Sequence, residues 1–199
     1  MNDASSRRFV RHTRSTRETE VSVELDLDGA GRATARTGLG FLDHMVEAFG
    51  HHGRFDLQLE AKGDLHIDDH HLVEDCALTL GQAFDRALAS RSGIRRFGWC
   101  LIPMDEALVR VAWDLSGRPL PVVDLGFRRE RLGQVATENL THFFQSLAVA
   151  LRASLHVNVL AGDNDHHRCE GAFKAVGIGL SMAVELRDGG VASTKGVLV

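Results

Sequence analysis

The sequence has no apolar stretch long enough to cross a membrane, and its start, Met1 to Thr16, carries Arg7, Arg8, Arg11 and Arg14 without the apolar run of a signal peptide. A cytoplasmic protein with no membrane partner is expected. Cysteine is scarce: Cys76, Cys100 and Cys169 are an odd three with no CxxC pair. That argues against a disulfide framework or a zinc ribbon and leaves small, buried, reduced thiols. Low-complexity sequence is absent, and no Pro-, Gly- or Ser-rich linker divides the chain; the one candidate joint, Arg91 to Arg96, is short. A net charge of -4 offers no general case for nucleic acid. What is present, 44% hydrophobic and 25% charged residues in a length of 199, is enough for a real core. The expected organisation is one compact unit of two fused halves, 1–92 and 93–199.

One short pattern occurs twice: His70-His71-Leu72-Val73-Glu74 and His166-His167-Arg168-Cys169-Glu170, each at the head of an expected long helix. On a helix the first His and the Glu share a face, whereas the second His points about 100° away. One copy therefore cannot easily surround a single ion. It can give His70 and Glu74 to one metal and His71 to another, and the second copy can divide His166 and Glu170 from His167 in the same way. The spacing predicts two metals, each completed by the other copy. A lone His-His-x-x-Glu is more often a solvated helix start with its Glu near the positive dipole end. Duplication weighs against that, as does a matching upstream histidine: His44 precedes His70 by 26 residues and His142 precedes His166 by 24.

The elements repeat too. Val21, Val23, Leu25 and Leu27 alternate with polar residues and lead into Asp28-Gly29-Ala30-Gly31, a strand ending in a hairpin turn. A short helix follows from Phe41 to Gly50, then a strand through Phe55, Leu57, Leu59 and Ala61. Asp68 or Asp69 can cap a helix running to about Ser90, with a buried stripe of Leu72, Cys76, Leu80, Ala83, Phe84 and Ala87. The second half offers strands near Phe97 to Ile102, Ala107 to Leu115 and Pro121 to Leu125. After them come a helix from Glu138 to about Ser154, a strand from Leu155 to Leu160 and a helix from about Asp165 to Glu185. Each half reads as a ββαβα-type unit in an α+β fold. Each sheet is covered on one face, and the helices form a shared layer.

From about Arg14 to Val199 the chain resembles the imidazoleglycerol-phosphate dehydratases of histidine biosynthesis. The pieces carrying the resemblance include Arg17-Glu18-Thr19, Phe41-Leu42-Asp43-His44-Met45, Gly63-Asp64, Ile67-Asp68-Asp69-His70-His71, Gly93 to Gly98, Pro103 to Leu108 and Ser116-Gly117-Arg118-Pro119. His142-Phe143-Phe144, Asn164-Asp165-His166-His167, Phe173-Lys174-Ala175 and Ser193-Thr194-Lys195-Gly196 follow in the same order. The resemblance implies a hydro-lyase converting D-erythro-imidazole-glycerol phosphate to imidazole-acetol phosphate. It implies two manganese ions per active site, one on His44, His71, His166 and Glu170, the other on His70, Glu74, His142 and His167. Three imidazoles and one carboxylate leave positions open on a six-coordinate ion, as a catalytic metal requires. Ligand chemistry alone does not choose manganese.

The chemical difficulty is a carbon-bound proton that no carbonyl acidifies. Metals on the two ring nitrogens would stabilise an imidazolate and let the ring relay electrons as hydroxide leaves. Glu18 matches a substrate-contacting carboxylate of the family and is the preferred proton-transfer residue, with Glu170 a further contributor; without the resemblance, Glu18 reads as an exposed strand-end glutamate. Arg96, Arg118, Lys174, Ser193 and Lys195 match phosphate-binding positions, with Thr194 among the substrate contacts. His52 matches a substrate contact, alongside the ligand histidines, while His12, His51, His66 and His156 read as structural or solvent-facing. Glu106 falls in a characteristic stretch, with no chemical role derivable from sequence. The resemblance also implies ligands crossing subunit boundaries in an octahedral 24-mer, and the length leaves no room for an added phosphatase domain.

One departure stands out. After Ala175 the family continues with an Ala- and Arg-rich helix, but here Gly177 and Gly179 intervene, each expected to cost the helix about 1 kcal/mol relative to alanine. The loop before Ser193 is also about three residues shorter. Two other classes fit the donors: a dinuclear metallohydrolase, separable by turnover of phosphate esters, and a metal store, which would not need Glu18, Arg96, Arg118 or Lys195.

Overall fold

A computed structural model describes residues 7–196 and 198. Strand β2 (Thr19–Asp26) buries Val21, Val23 and Leu25 on one face, as the alternation requires, and pairs antiparallel with β4 (Asp56–Gly63), which buries Leu57, Leu59 and Ala61. On the other edge of β2 lies β1 (Phe9–Ser15), paired in register from Phe9↔Asp26 to Ser15↔Glu20. This strand lacks an apolar alternation because only His12 is buried along it, with its Nε2 2.7 Å from the Gln82 amide oxygen. The tertiary edge makes the strand; its own side chains give little hint of it.

The expected hairpin at Asp28–Gly31 does not form. Strand β3 (Ala33–Arg36) instead runs parallel to β4, giving the order β1-β2-β4-β3. Both edges of β2 are already taken. The turn is tied to the start of β4, where the Asp56 carboxylate accepts the Ala30 and Arg32 backbone N–H groups at 2.9 and 3.0 Å. The first half is thus βββαβα, one strand more than the ββαβα reading. The second half repeats the plan with β5 (Phe97–Met104), β6 (Ala107–Asp114), β7 (Leu120–Asp124) and β10 (Ser154–Ala161), in the matching order β5-β6-β10-β7. A small hairpin, β8 (Arg131–Leu132) with β9 (Val135–Ala136), is inserted before its helices.

Four helices lie between the sheets: α1 (Gly40–Gly53), α2 (His70–Leu88), α3 (Thr137–Ala150) and α4 (Asp165–Val184). The expected stripe of α2, Leu72 through Ala87, is buried. α3 stops at Ala150, short of the expected Ser154, because Arg152 in a left-handed conformation (φ 54°) turns the chain into β10. Each helix covers its own sheet and packs on one from the other half, α2 against α3 and α1 against α4. One contiguous apolar core runs through both halves. The outer face of the second sheet is different, with Trp99, Leu101 and Leu120 more than half exposed. Among the described residues no helix is long and apolar enough to cross a membrane.

Gly177 of α4, a cost in sequence terms, lets the helix sit where it does, and Gly98 of β5 does the same on its other side. A Cβ at Gly177 would lie 2.4 Å from the Phe49 carbonyl oxygen on α1, and one at Gly98 on β5 would lie 1.9 Å from the Gly179 carbonyl oxygen. Backbone meets backbone at both places, so neither clash can be relieved by a rotamer change. We expect Gly177→Ala to destabilise the fold by up to about 2 kcal/mol, because overpacking of about 1–3 kcal/mol is set against a helix-propensity gain of about 1. Thermal unfolding checks the sign; a rise in melting temperature would contradict the close approach.

Candidate metal centre

The ends of the paired helices gather the histidines. At one end α1 presents His44 beside His166 and Glu170 of α4, with His44 Nε2 3.7 Å and His166 Nε2 3.1 Å from Glu170 Oε2. At the other pairing α3 presents His142 beside His70 and Glu74 of α2, with His70 Nε2 3.8 Å from Glu74 Oε2 and His142 Nε2 3.1 Å from Glu74 Oε1. Within each triad the donor atoms all lie within 4.8 Å of one another. The sets are counterparts under the duplication: each takes one His from the first helix of one half, and a His and Glu one turn apart from the second helix of the other. Donors at right angles about an ion bonded at about 2.1 Å stand on the order of 3 Å apart, so both triads fit a divalent ion with small adjustment.

The second histidine of each motif faces elsewhere. His71 turns its Nδ1 to Asp64 Oδ2 at 3.0 Å, with Glu18 Oε2 3.8 Å away. His167 turns its Nδ1 to Glu106 Oε2 at 2.6 Å and its Nε2 toward Asp105. Neither belongs to a triad of this chain among the described residues. These carboxylates fix ring orientation, the usual support for a metal-binding imidazole. The Asp64 hydrogen bond raises the His71 pKa, and the His71 partner lowers that of Asp64. Glu106 is held down to about 2, first by the Asn164 backbone N–H, then by His167 and the Asp163 N–H. Its Oε1 accepts both of those backbone groups, which gives Glu106 the structural part that sequence did not supply. Asp64 was visible only as a piece of the resemblance, because its partner stands seven residues on, across a turn.

Around the first triad stand the other candidates. Burial pulls the Glu170 carboxyl up, but the Lys174 ammonium at 2.7 Å, with His166 and His44, outweighs that and leaves it below the ordinary range. Lys174 also lies near His52, whose pKa is lowered by desolvation and then by that positive charge. His44, His52, Glu170 and Lys174 line one open hollow with His51. Arg96, Arg118, Ser193, Thr194 and Lys195 line another. The five phosphate candidates are therefore split within the chain, with Lys174 beside the metal triad and the remaining four together with Thr194. Arg96 donates from Nε and Nη2 to Asp114 at 2.6 and 3.1 Å and from Nη1 to the Ala192 carbonyl, bracing the 192–195 segment. Arg118 is mostly exposed, and Lys195 is exposed. Of the histidines read as bystanders, His12 is buried on Gln82, while His66 and His156 are exposed. Cys76 and Cys169 are buried, and burial pushes both thiols up, away from reactivity.

The sequence profile of the imidazoleglycerol-phosphate dehydratase family matches residues 37–180. The imidazoleglycerol-phosphate dehydratase of Methanothermobacter thermautotrophicus is 50% identical over 186 residues, covering 94% of this chain and 95% of its own. That of Phytophthora nicotianae is 51% identical over 199 residues, but there this chain spans only 44% of the relative's length. Among solved structures, the Pyrococcus furiosus enzyme in complex with (S)-C348 superposes with a TM-score of 0.81 at 38% identity, over 94% of this chain and 99% of that one. The Staphylococcus aureus enzyme gives 0.78 at 32% identity, over 89% and 99%. Two matched helix-borne triads of two histidines and a glutamate, on a duplicated α+β scaffold shared with these relatives, place the chain in the imidazoleglycerol-phosphate dehydratase family, the hydro-lyases of histidine biosynthesis.

Proposed function

We propose that this chain removes water from D-erythro-imidazole-glycerol phosphate to give imidazole-acetol phosphate, with two manganese ions per active site. The observation carrying this reading is the pair of matched triads, each one donor short of the four that the resemblance implies. His71 completes the His44, His166, Glu170 set from a neighbouring subunit, and His167 completes the His70, Glu74, His142 set in the same way. Both are held by other carboxylates, apart from their own chain's triads, which supports a bridging role. The ions, when bound, would polarise the imidazole ring and stabilise negative charge on it.

The chain's own residues do the rest. Glu18, at the β1–β2 turn next to His71, moves the proton. Glu170, anionic against Lys174, is the second carboxylate in reach. Arg118 and Lys195 hold the phosphate with Ser193 and Thr194, on a segment braced by Arg96, and Lys174 and His52 flank the substrate at the first triad. Ligands shared between copies require self-association, the octahedral 24-mer being what the resemblance implies, and the exposed Trp99, Leu101 and Leu120 give a further surface to bury. The halves 1–92 and 93–199 act as one domain, working in the cytoplasm on a small phosphate substrate, without nucleic acid or membrane.

The test is product identity. Manganese-loaded protein is expected to convert imidazole-glycerol phosphate to imidazole-acetol phosphate, followed by loss of substrate and appearance of the ketone. Release of inorganic phosphate from simple phosphate esters, with no ketone, would favour a metallohydrolase on the same donors. Tight metal binding without turnover of either would leave a metal store.

A further inference from the structure

We infer that Asp69 and Asn139 are a positioning pair that fixes the tautomer of His70, so that one of the two metal triads is preorganised and its counterpart is not; this rests on the metal-dependent reading above. Asp69 is 4% exposed and stands at the N-cap of α2, yet it does not cap that helix; the His70 backbone N–H is taken by Asp68 Oδ1 at 2.8 Å. Its Oδ2 instead accepts the Ala136 backbone N–H at 2.8 Å and Asn139 Nδ2 at 3.0 Å, with the Arg131 guanidinium 3.5 Å from Oδ1. An ionised carboxylate only accepts, so the amide nitrogen of Asn139 must face it. The amide oxygen then faces His70 Nδ1 at 2.9 Å, and it too only accepts. As a neutral ring His70 then carries its proton on Nδ1 and presents Nε2 without one, and Nε2 is the atom nearest Glu74. Asn139 is 5% exposed, so water does not compete for these bonds.

The same pair ties together the starts of α2 and α3, the two helices that supply this triad. Among the described residues the other half has no equivalent. Phe41 stands three residues before His44, as Asn139 stands three before His142, and it meets the His166 ring edge-on with centroids 5.3 Å apart. Asp165, the counterpart of Asp69, accepts the Arg128 and Arg129 backbone N–H groups. Two ligand sets of the same composition thus have unequal support, and the His70, Glu74, His142 set should load first.

The experiment titrates chelator-stripped, full-length protein with Mn2+ alone, following free ion by electron paramagnetic resonance. Wild type is expected to show two unequal sites. Asn139→Leu should weaken one of them about 10- to 100-fold, the usual effect of removing a ligand's supporting hydrogen bond, and leave the other unchanged. Asn139→Asp sets two carboxylates face to face and should also weaken that site. The exchange D69N/N139D restores a donor toward residue 139 and an acceptor toward His70, but gives up the Ala136 N–H bond that Asp69 Oδ2 accepts, so it should recover part of the affinity lost in Asn139→Asp. That recovery distinguishes tautomer control from a merely structural role and does not depend on Asn139→Leu folding. Unchanged binding in Asn139→Leu, equal weakening of both sites, or no recovery in the exchange overturns the pair's role. Wild type that binds no Mn2+ overturns the metal reading itself.

Discussion

Stripping the metal with a chelator is expected to abolish dehydration of imidazole-glycerol phosphate and to break the assembly into smaller species, and adding manganese should restore both. The reason is the donor count. Each triad within one chain offers two imidazoles and one carboxylate, while His71 and His167 stand apart from both on rings oriented by Asp64 and Glu106. An ion shared between a triad and a neighbour's second histidine would be a clamp between subunits as well as a catalytic centre. Binding of this kind stabilises the assembled state by mass action, about 2.7 kcal/mol for each site at a free ion concentration of 100 Kd. Light scattering coupled to size exclusion, with and without chelator, reads the assembly directly. A chelated sample that keeps its full size would contradict the shared ligands. A sample that falls apart and regains size without regaining turnover would separate assembly from chemistry.

Replacing Glu18 by Gln should lower kcat by about 10²- to 10⁴-fold, the range for removing a positioned general acid or base, with bound manganese unchanged. The substitution keeps the shape of the side chain and removes its ability to take a proton. Glu18 sits in the turn between β1 and β2, its side chain 55% exposed, with Oε2 3.8 Å from His71 Nδ1. A glutamate so exposed in one chain has no reason to act as a base unless another surface closes over it. By the reading above that surface is the neighbour's His44, His166 and Glu170 triad, reached by His71, so Glu18 and His71 would enter the same site together. Steady-state kinetics with metal analysis decides the matter. Unchanged kcat would return Glu18 to an ordinary surface residue, and parallel loss of manganese would make it a support for His71.

What could be read from the sequence follows periodicity. The apolar stripe of α2 and the alternation of β2 and β4 report burial directly, because each side chain's environment is set by its own period. The split between His70 with Glu74 and His71 is legible for the same reason: four residues on a helix bring two side chains together and one residue parts them. Strand β1 was not legible, since its one buried residue is His12 and its stability comes from the free edge of β2. The hairpin expected after β2 failed because turn residues fix a local bend but not which strand the next segment pairs with, and both edges of β2 were occupied.

By itself, then, the sequence determined the duplicated elements, the helix-borne donors and the family, since these are written in local spacing and in ordered short motifs. Only the tertiary structure decided which donors meet. It set α1 against α4 and α2 against α3, so that each triad draws on both halves. It turned Gly177 from a helix defect into a point of close approach, and it sent the Asp69 carboxylate across to Asn139. Those outcomes depend on packing between elements far apart in the chain, and no local pattern of residues encodes the partner that packing will bring.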